Sequence, residues 1–231
     1  MNNRDCFLAD IAQALGREVR YTPITLPHCV KNYASTRLTE LTVQQRCDMF
    51  IDVATNIMLA HCELASEDEV AHKAQRLCDK YGHAPVIVSG DARLKALGIT
   101  GCLQQMCGAT VWAPQAGEEN LRLAERACVG VVYAEYGLAE SGGVVLFSAP
   151  ERGRAISLLP ESSIFVLRKS TLLPRIAQLA QHLHNKAQSG ERMPSCINII
   201  GGPSSTADIE LIKVVGVHGP VNAAYLIIED C

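Results

Sequence analysis

The chain from Pro85 to Ile228 is punctuated by short β-branched apolar runs, at Pro85–Ser89, Thr110–Ala113, Gly130–Tyr133, Gly143–Phe147, Ser163–Leu167, Ile197–Ile200 and Ala223–Ile228. Several are unbroken rather than alternating, which is the pattern of strands covered on both faces. Helical patterns lie between them at Ala92–Leu97, Glu118–Ala127 and Thr171–Gln188. Strand and helix in alternation predict βα units and a mostly parallel sheet between two helical layers, a three-layer αβα arrangement. Gly130–Phe147 departs from the rhythm: two runs flank a Gly/Ser/Glu-rich segment, which predicts a local strand pair or a strand–loop–strand site.

Ahead of Gly82 the period is helical. Phe7, Leu8, Ile11, Ala12 and Leu15 form one stripe over Asp5–Leu15, and Gly16 is a stop signal. Tyr21–Arg37 contains Pro23 and Pro27 and reads as an extended arm. Thr42–Cys62 is apolar at Val43, Cys47, Phe50, Ile51, Ala54, Ile57, Met58 and His61, predicting one long amphipathic helix. Ser66 and Glu69 make a capping box for a further helix ending at Tyr81-Gly82. Residues 1–40 are thus read as a helical lead-in with an arm, and 41–231 as the α/β domain.

Charge and cysteine usage narrow the function. With 24 acidic against 21 basic side chains the net charge is −3, and the signs are interspersed, so there is no field to draw nucleic acid. No apolar run approaches the roughly 20 residues of a membrane span, and Met1–Arg20 lacks the apolar stretch of a signal peptide. The expected location is the cytoplasm. Ten cysteines would be a disulfide framework in a small secreted protein, but a reducing compartment makes them free thiols. No C-x-x-C occurs, and Cys102 and Cys107 are separated by four residues with no second pair nearby. No metal site and no cluster or other cofactor is therefore expected in this chain.

The densest polar segment is Gly201-Gly202-Pro203-Ser204-Ser205-Thr206-Ala207-Asp208-Ile209-Glu210, directly after an apolar run. Open α/β sheets bind ligands beyond the carboxyl ends of their strands. Two glycines allow a sharp turn or a close approach, and Ser204, Ser205 and Thr206 offer hydroxyls. A following helix start would turn backbone N–H groups towards an anion, with Asp208 and Glu210 beside it. A turn with one N-cap would explain one hydroxyl and one acid, not all five polar residues. It is not a P-loop, because no lysine follows in register. Close by, Gly216-Val217-His218-Gly219-Pro220 frames a histidine in a loop of fixed shape, suited to anion binding, proton transfer or metal ligation, or simply a hydrogen-bonded turn. Ala139-Glu140-Ser141-Gly142-Gly143 is either a pocket edge, with Glu140 as acid, base or nucleophile, or a glycine hairpin. His182 and His184 are two apart and face different sides of a helix. Arg152 and Arg154 suit a carboxylate or phosphate, or a solvated turn equally well.

Taken together, Gly202-Pro203-Ser204-x-Thr206-Ala207-Asp208-Ile209-Glu210 and Gly216-Val217-His218-Gly219-Pro220 resemble the signature of the lactate-utilization (LUD) domain, in particular the lactate utilization protein C family. The resemblance runs from about Val43 to the end and takes in Glu140–Gly143. One position departs from it: Ser205 stands where an arginine is usual, so an anion grip would have to come from elsewhere, with Arg154 and Lys213 as candidates. The resemblance implies the fold of the sugar-phosphate isomerase and CoA-transferase (NagB/RpiA/CoA-transferase-like) group. It also implies a part in oxidising L-lactate to pyruvate with iron–sulfur partner proteins; neither CoA transfer nor isomerisation follows from shared fold. On this reading His218, Glu210, Asp208 and Glu140 are the catalytic candidates. Gly202, Ser204, Ser205, Thr206, Gly219, Ser141 and Gly142 would hold a small anionic ligand near the sheet's carboxyl edge. The alternatives are a non-catalytic scaffolding subunit and a stand-alone enzyme acting on a phosphorylated or nucleotide-like ligand; a homo-oligomer is compatible with each.

Overall fold

The computed structural model describes residues 3–22, 24–25, 27–28, 30–207 and 213–231. The chain divides into two units at Tyr33. The first contains helix α1 (Asn3–Ala14) followed by irregular chain; Pro23 and Cys29, in the arm read from sequence, lie outside the described residues. The second unit begins with α2 (Tyr33–Thr36, whose first residue closes the first unit), α3 (Val43–Asn56), β1 (His61–Ala65), α4 (Val70–Lys80) and β2 (Val86–Val88). It continues through α5 (Ala92–Ala96), α6 (Ile99–Cys107), β3 (Thr110–Val111), α7 (Glu119–Arg126), β4 (Val129–Tyr133), β5 (Tyr136–Leu138) and β6 (Gly143–Phe147). The remainder is α8 (Ala155–Leu158), β7 (Ser162–Arg168), β8 (Leu172–Leu173), α9 (Ile176–Gln188), β9 (Ile197–Ile200), β10 (Ser205–Ala207), β11 (Lys213–Val215) and β12 (Asn222–Ile228).

The expected parallel sheet is present, in the order β1-β12-β7-β4-β2-β3, with every neighbouring pair parallel. Its strands are two-faced. Along β12, Ala224, Leu226 and Ile228 join Val70, Leu77, Leu94 and Leu103 of the helices on one side, while Ala223, Tyr225 and Ile227 join Phe50, Ala124 and Ile156 on the other. Side chains alternate with period two, and each face needs its own helical cover, which is why the run is apolar throughout. At roughly 25 cal/mol per Å² of apolar surface removed from water, this two-sided burial is the main stabilising term.

A second sheet, β8-β5-β6-β9, packs beside the helices of the second face. Val144 and Leu146 of β6 point to the main core, and Val145 and Phe147 point to Leu179 and Leu183 of α9. The main sheet is thus the middle of the predicted three layers, and the small sheet thickens one of them. No helix among the described residues is long and apolar enough to cross a membrane.

Three local readings are corrected. The helix over Thr42–Cys62 stops at Asn56, because Met58 and Ala60 fold back on the carbonyls of Val53 and Ala54 and Leu59 takes a left-handed φ of 64°; His61 and Cys62 then open edge strand β1. The Thr171–Gln188 helix begins only at Ile176, since Pro174 disfavours helical geometry in the residue before it and Leu172–Leu173 pair with β5. Gly130–Tyr133 and Gly143–Phe147 do not pair with each other: the first is a central strand of the main sheet, and the second pairs with Tyr136–Leu138.

Candidate functional site

The two glycine motifs meet. Ser204 N–H donates to the Pro220 carbonyl (2.8 Å) and Gly216 N–H to the Ser204 carbonyl (2.7 Å). Together they wall a pocket of about 330 Å³ lined by Ser157, Leu158, Ser163, Phe165, Ile199–Ser205, His218–Pro220 and Ala223. Its floor lies by Ser163 and Ala223, at the amino ends of β7 and β12. The pocket therefore does not open at the carboxyl edge expected from sequence. The physical reason is that β9, which leads into it, pairs antiparallel with β6 in the small sheet and is not a strand of the parallel one. Nor does a helix follow the glycines: Ser205–Ala207 form β10, antiparallel to β11.

Gly202 is placed by packing. Its φ is +68°, a Cβ on it would come within 2.2 Å of the Met58 carbonyl oxygen, and its N–H donates to the Tyr225 hydroxyl at 2.7 Å. Only glycine meets both conditions. Burial raises the Tyr225 phenol well above its ordinary pKa, so it stays protonated. Ser204 is half-buried and Ser205 and His218 are exposed at the pocket wall, so two hydroxyls and an imidazole face the cavity. The Ser163 hydroxyl is engaged with the Ser157 carbonyl (3.1 Å). A Cβ on Gly219 would lie 3.2 Å from that of Ser204, so the two loops are tightly apposed. Thr206 is exposed on β10 and does not line the pocket; Asp208 and Glu210 lie outside the described residues. Arg154 lines a crevice of about 20 Å³ that shares Ser157 with the pocket, and Lys213 sits on β11. No arginine or lysine is among the described lining residues.

Glu140, Ser141 and Gly142 are not among the residues lining that pocket. The Glu140 carboxylate takes a 2.6 Å contact from Arg175 Nε and a 3.7 Å one from Arg37. Gly142 closes the β5–β6 turn with its N–H on the Leu138 carbonyl, at φ +61° and with no room for a Cβ beside Ala54 N (2.6 Å). The turn accounts for Gly142.

The carboxyl edge of the sheet holds a different construction. Asp91, just beyond β2, caps α5 by accepting from Arg93 N–H (2.9 Å). The Arg93 guanidinium reaches Asp91 (2.6 Å) and grips both oxygens of Glu135, just beyond β4, at 2.7 Å each. Arg152 closes the network on Glu135, and the Tyr133 ring lies under Arg93 at 4.1 Å. Burial would raise Asp91, but the Arg93 hydrogen bonds and the two guanidinium charges outweigh it and hold the carboxyl below its ordinary range. The network borders a cleft of about 800 Å³ between the sheet edge, the β6 end and α9. Of its residues, Arg152 and His182 are the ones that the sequence alone brings to notice. The available signal was that Asp91, Arg93 and Glu135 sit directly after apolar runs, where α/β sheets place ligands.

The described cysteines are all free, and burial pushes the Cys47, Cys62 and Cys78 thiols up from their ordinary values. Asp79, His83 and Cys107 bring donor atoms within 4.8 Å of one another at the ends of α4 and α6, three donors where structural zinc takes four. They share no residue with either cavity.

The LUD domain family model matches residues 47–228. "Uncharacterized protein YkgG" of Escherichia coli K12 is 65% identical over 231 residues, covering all of both chains. "Lactate utilization protein C" of Halalkalibacterium halodurans is 38% identical, covering 100% of this chain and 99% of its own; the Bacillus licheniformis protein of that name is 39% identical, covering 100% and 98%. A crystal structure of a DUF162 family protein from Deinococcus radiodurans superposes with a TM-score of 0.57 at 17% identity, over 81% of this chain and 99% of that one, and shares the fold. By its sequence over most of its length, this chain belongs to the LUD domain family.

Proposed function

We propose that this chain is a cytoplasmic subunit of an L-lactate utilization system, working with iron–sulfur partner proteins, and that the pocket between the two glycine motifs holds a small carboxylate. The observation that carries the reading is full-length similarity to proteins named lactate utilization protein C, joined to a pocket built from the two motifs that resemble that family. About 330 Å³ suits a small molecule. Ser204 and Ser205 offer donors to a carboxylate, and His218 is the group placed to contact it or to take the proton of the lactate hydroxyl. Oxidation of L-lactate to pyruvate releases two electrons and two protons. The cysteine spacing supplies no cluster motif, so this reading places the electron acceptors on the partners.

Titration calorimetry of the purified chain with L-lactate and pyruvate tests the ligand. Saturable binding that weakens about 10-fold in His218→Ala supports the reading; heat-silent titrations with both acids, alone and with co-purified partners, would contradict it.

One observation favours the scaffolding alternative. Leu158, Ile199, Val217 and Val221 are exposed apolar residues in or next to the pocket wall, as a docking face would be. If the subunit only docks, His218→Ala leaves the assembled system's rate unchanged; loss of an acid–base group would lower it roughly 100-fold.

A further inference from the structure

We propose that the cleft at the carboxyl edge of the main sheet is a second, separate ligand site, and that it takes a phosphorylated ligand with a planar ring, of mononucleotide size. Its volume, about 800 Å³, lies in the range of small-molecule sites and is far larger than a three-carbon acid requires. It stands just beyond the carboxyl ends of β2 and β4, the position at which open α/β sheets receive ligands.

The lining inverts the charge of the molecule. In a chain of net charge −3, the wall carries Arg93, Arg152, Lys186 and Arg192 against Glu135; Asp91 pairs with Arg93 and Arg152, and Glu191 with Lys186, so Arg192 is the surplus cation. Glu135 is neutralised by its two-pronged pair with Arg93 and by Arg152. Those pairs fix both guanidinium planes before any ligand arrives, which lowers the cost of ordering them. Lys186 is on the rim, paired with the exposed Glu191, and Arg192 makes no ion pair with a described residue. An anionic group matches this surplus, with the paired guanidinium groups beside it. Ser148 also lines the wall, and its hydroxyl is buried without a hydrogen-bond partner among the described residues.

The ring component comes from three aromatic side chains of the same lining. Tyr136 and His182 stack with centroids 5.6 Å apart and planes 26° from parallel, and Phe147 meets Tyr136 edge-on at 6.1 Å. All three line the cleft. A planar heterocycle extends such a stack, while the cationic rim holds its phosphates.

The test is calorimetric titration of the full-length chain with AMP, ADP and inorganic phosphate. The expected result is saturable binding of the nucleotides, tighter for ADP, and much weaker binding of phosphate alone. Lys186→Ala with Arg192→Ala should weaken nucleotide binding by ~10-fold or more, and His182→Ala by roughly 10-fold. His218→Ala should not alter it. His182 and Arg192 are exposed and Lys186 is half-buried, and unchanged unfolding midpoints verify that the variants fold. Absence of nucleotide binding at millimolar concentration overturns the proposal. So does binding as tight for phosphate as for ADP, or binding that the rim variants leave intact. Lactate binding in the glycine pocket is measured separately, so either site can fail without the other.

Discussion

Replacing Gly202 with alanine tests whether the glycine motif is a structural device before it is a chemical one. At φ +68° an L-residue is in the left-handed region, at about 1–2 kcal/mol. The new methyl would lie 2.2 Å from the Met58 carbonyl oxygen and 2.9 Å from its carbon. Both are backbone atoms that yield only if the α3–β1 connection shifts, an overpacking cost of about 1–3 kcal/mol. Reduced freedom of the unfolded chain offsets about 0.4–1 kcal/mol, leaving a net loss of roughly 1–4.5 kcal/mol. For a chain of this size each kcal/mol moves the midpoint by about 2–4 °C, so thermal unfolding by circular dichroism should show a drop of roughly 2–18 °C. Gly201 is the internal control. A Cβ there meets the flexible Met58 side chain, its sulfur at 3.4 Å and its Cγ at 4.0 Å, and Gly201→Ala should stay within about 0.5 kcal/mol of the parent. A Gly202→Ala midpoint within 2 °C of wild type, by the ~2–4 °C per kcal/mol scale, or equal damage at Gly201, would refute the packing argument.

Tyr225→Phe removes the acceptor of the Gly202 N–H and should cost about 1–3 kcal/mol in urea denaturation, the penalty of an unmet buried donor. Asp91 has a folded-state carboxyl pKa held below 3.8, so its contribution is complete above that value and is lost as pH falls through the lower folded pKa; stability curves between about pH 5 and pH 2 should show a component that Asp91→Asn abolishes. In alkylation by iodoacetamide followed by mass spectrometry, exposed Cys6 and Cys231 should label first. Cys47 and Cys78, buried and with raised thiol pKa values, should label only on unfolding.

Much of the main sheet was legible because burial on both faces leaves a long-range arrangement written as local apolar runs: Ser163–Leu167 and Ala223–Ile228 each fall within one residue of a strand end. What was illegible depended on partners distant in sequence. His61–Ala65 is an edge strand whose first residues also continue the helical period of α3, so periodicity alone assigned them to the helix. Tyr136–Leu138 and Leu172–Leu173 are too short to show a period, and their pairing, Gly137 with Leu172, joins segments far apart. The site divides in the same way. Ser204 and His218 share a short stretch of sequence, and the fold brings them together. The direction of β9, which sends that loop to the amino edge, is set by its pairing with β6 and leaves no trace in its own residues. Arg93 and Glu135 are 42 positions apart, so no motif spacing joins them.

Growth on L-lactate as sole carbon source is the measurement that bears most directly on the proposed role. A strain lacking this gene and any paralogue should fail to grow on L-lactate while growing normally on pyruvate, and the wild-type gene should restore growth. Undiminished growth of that strain on L-lactate would contradict the assignment.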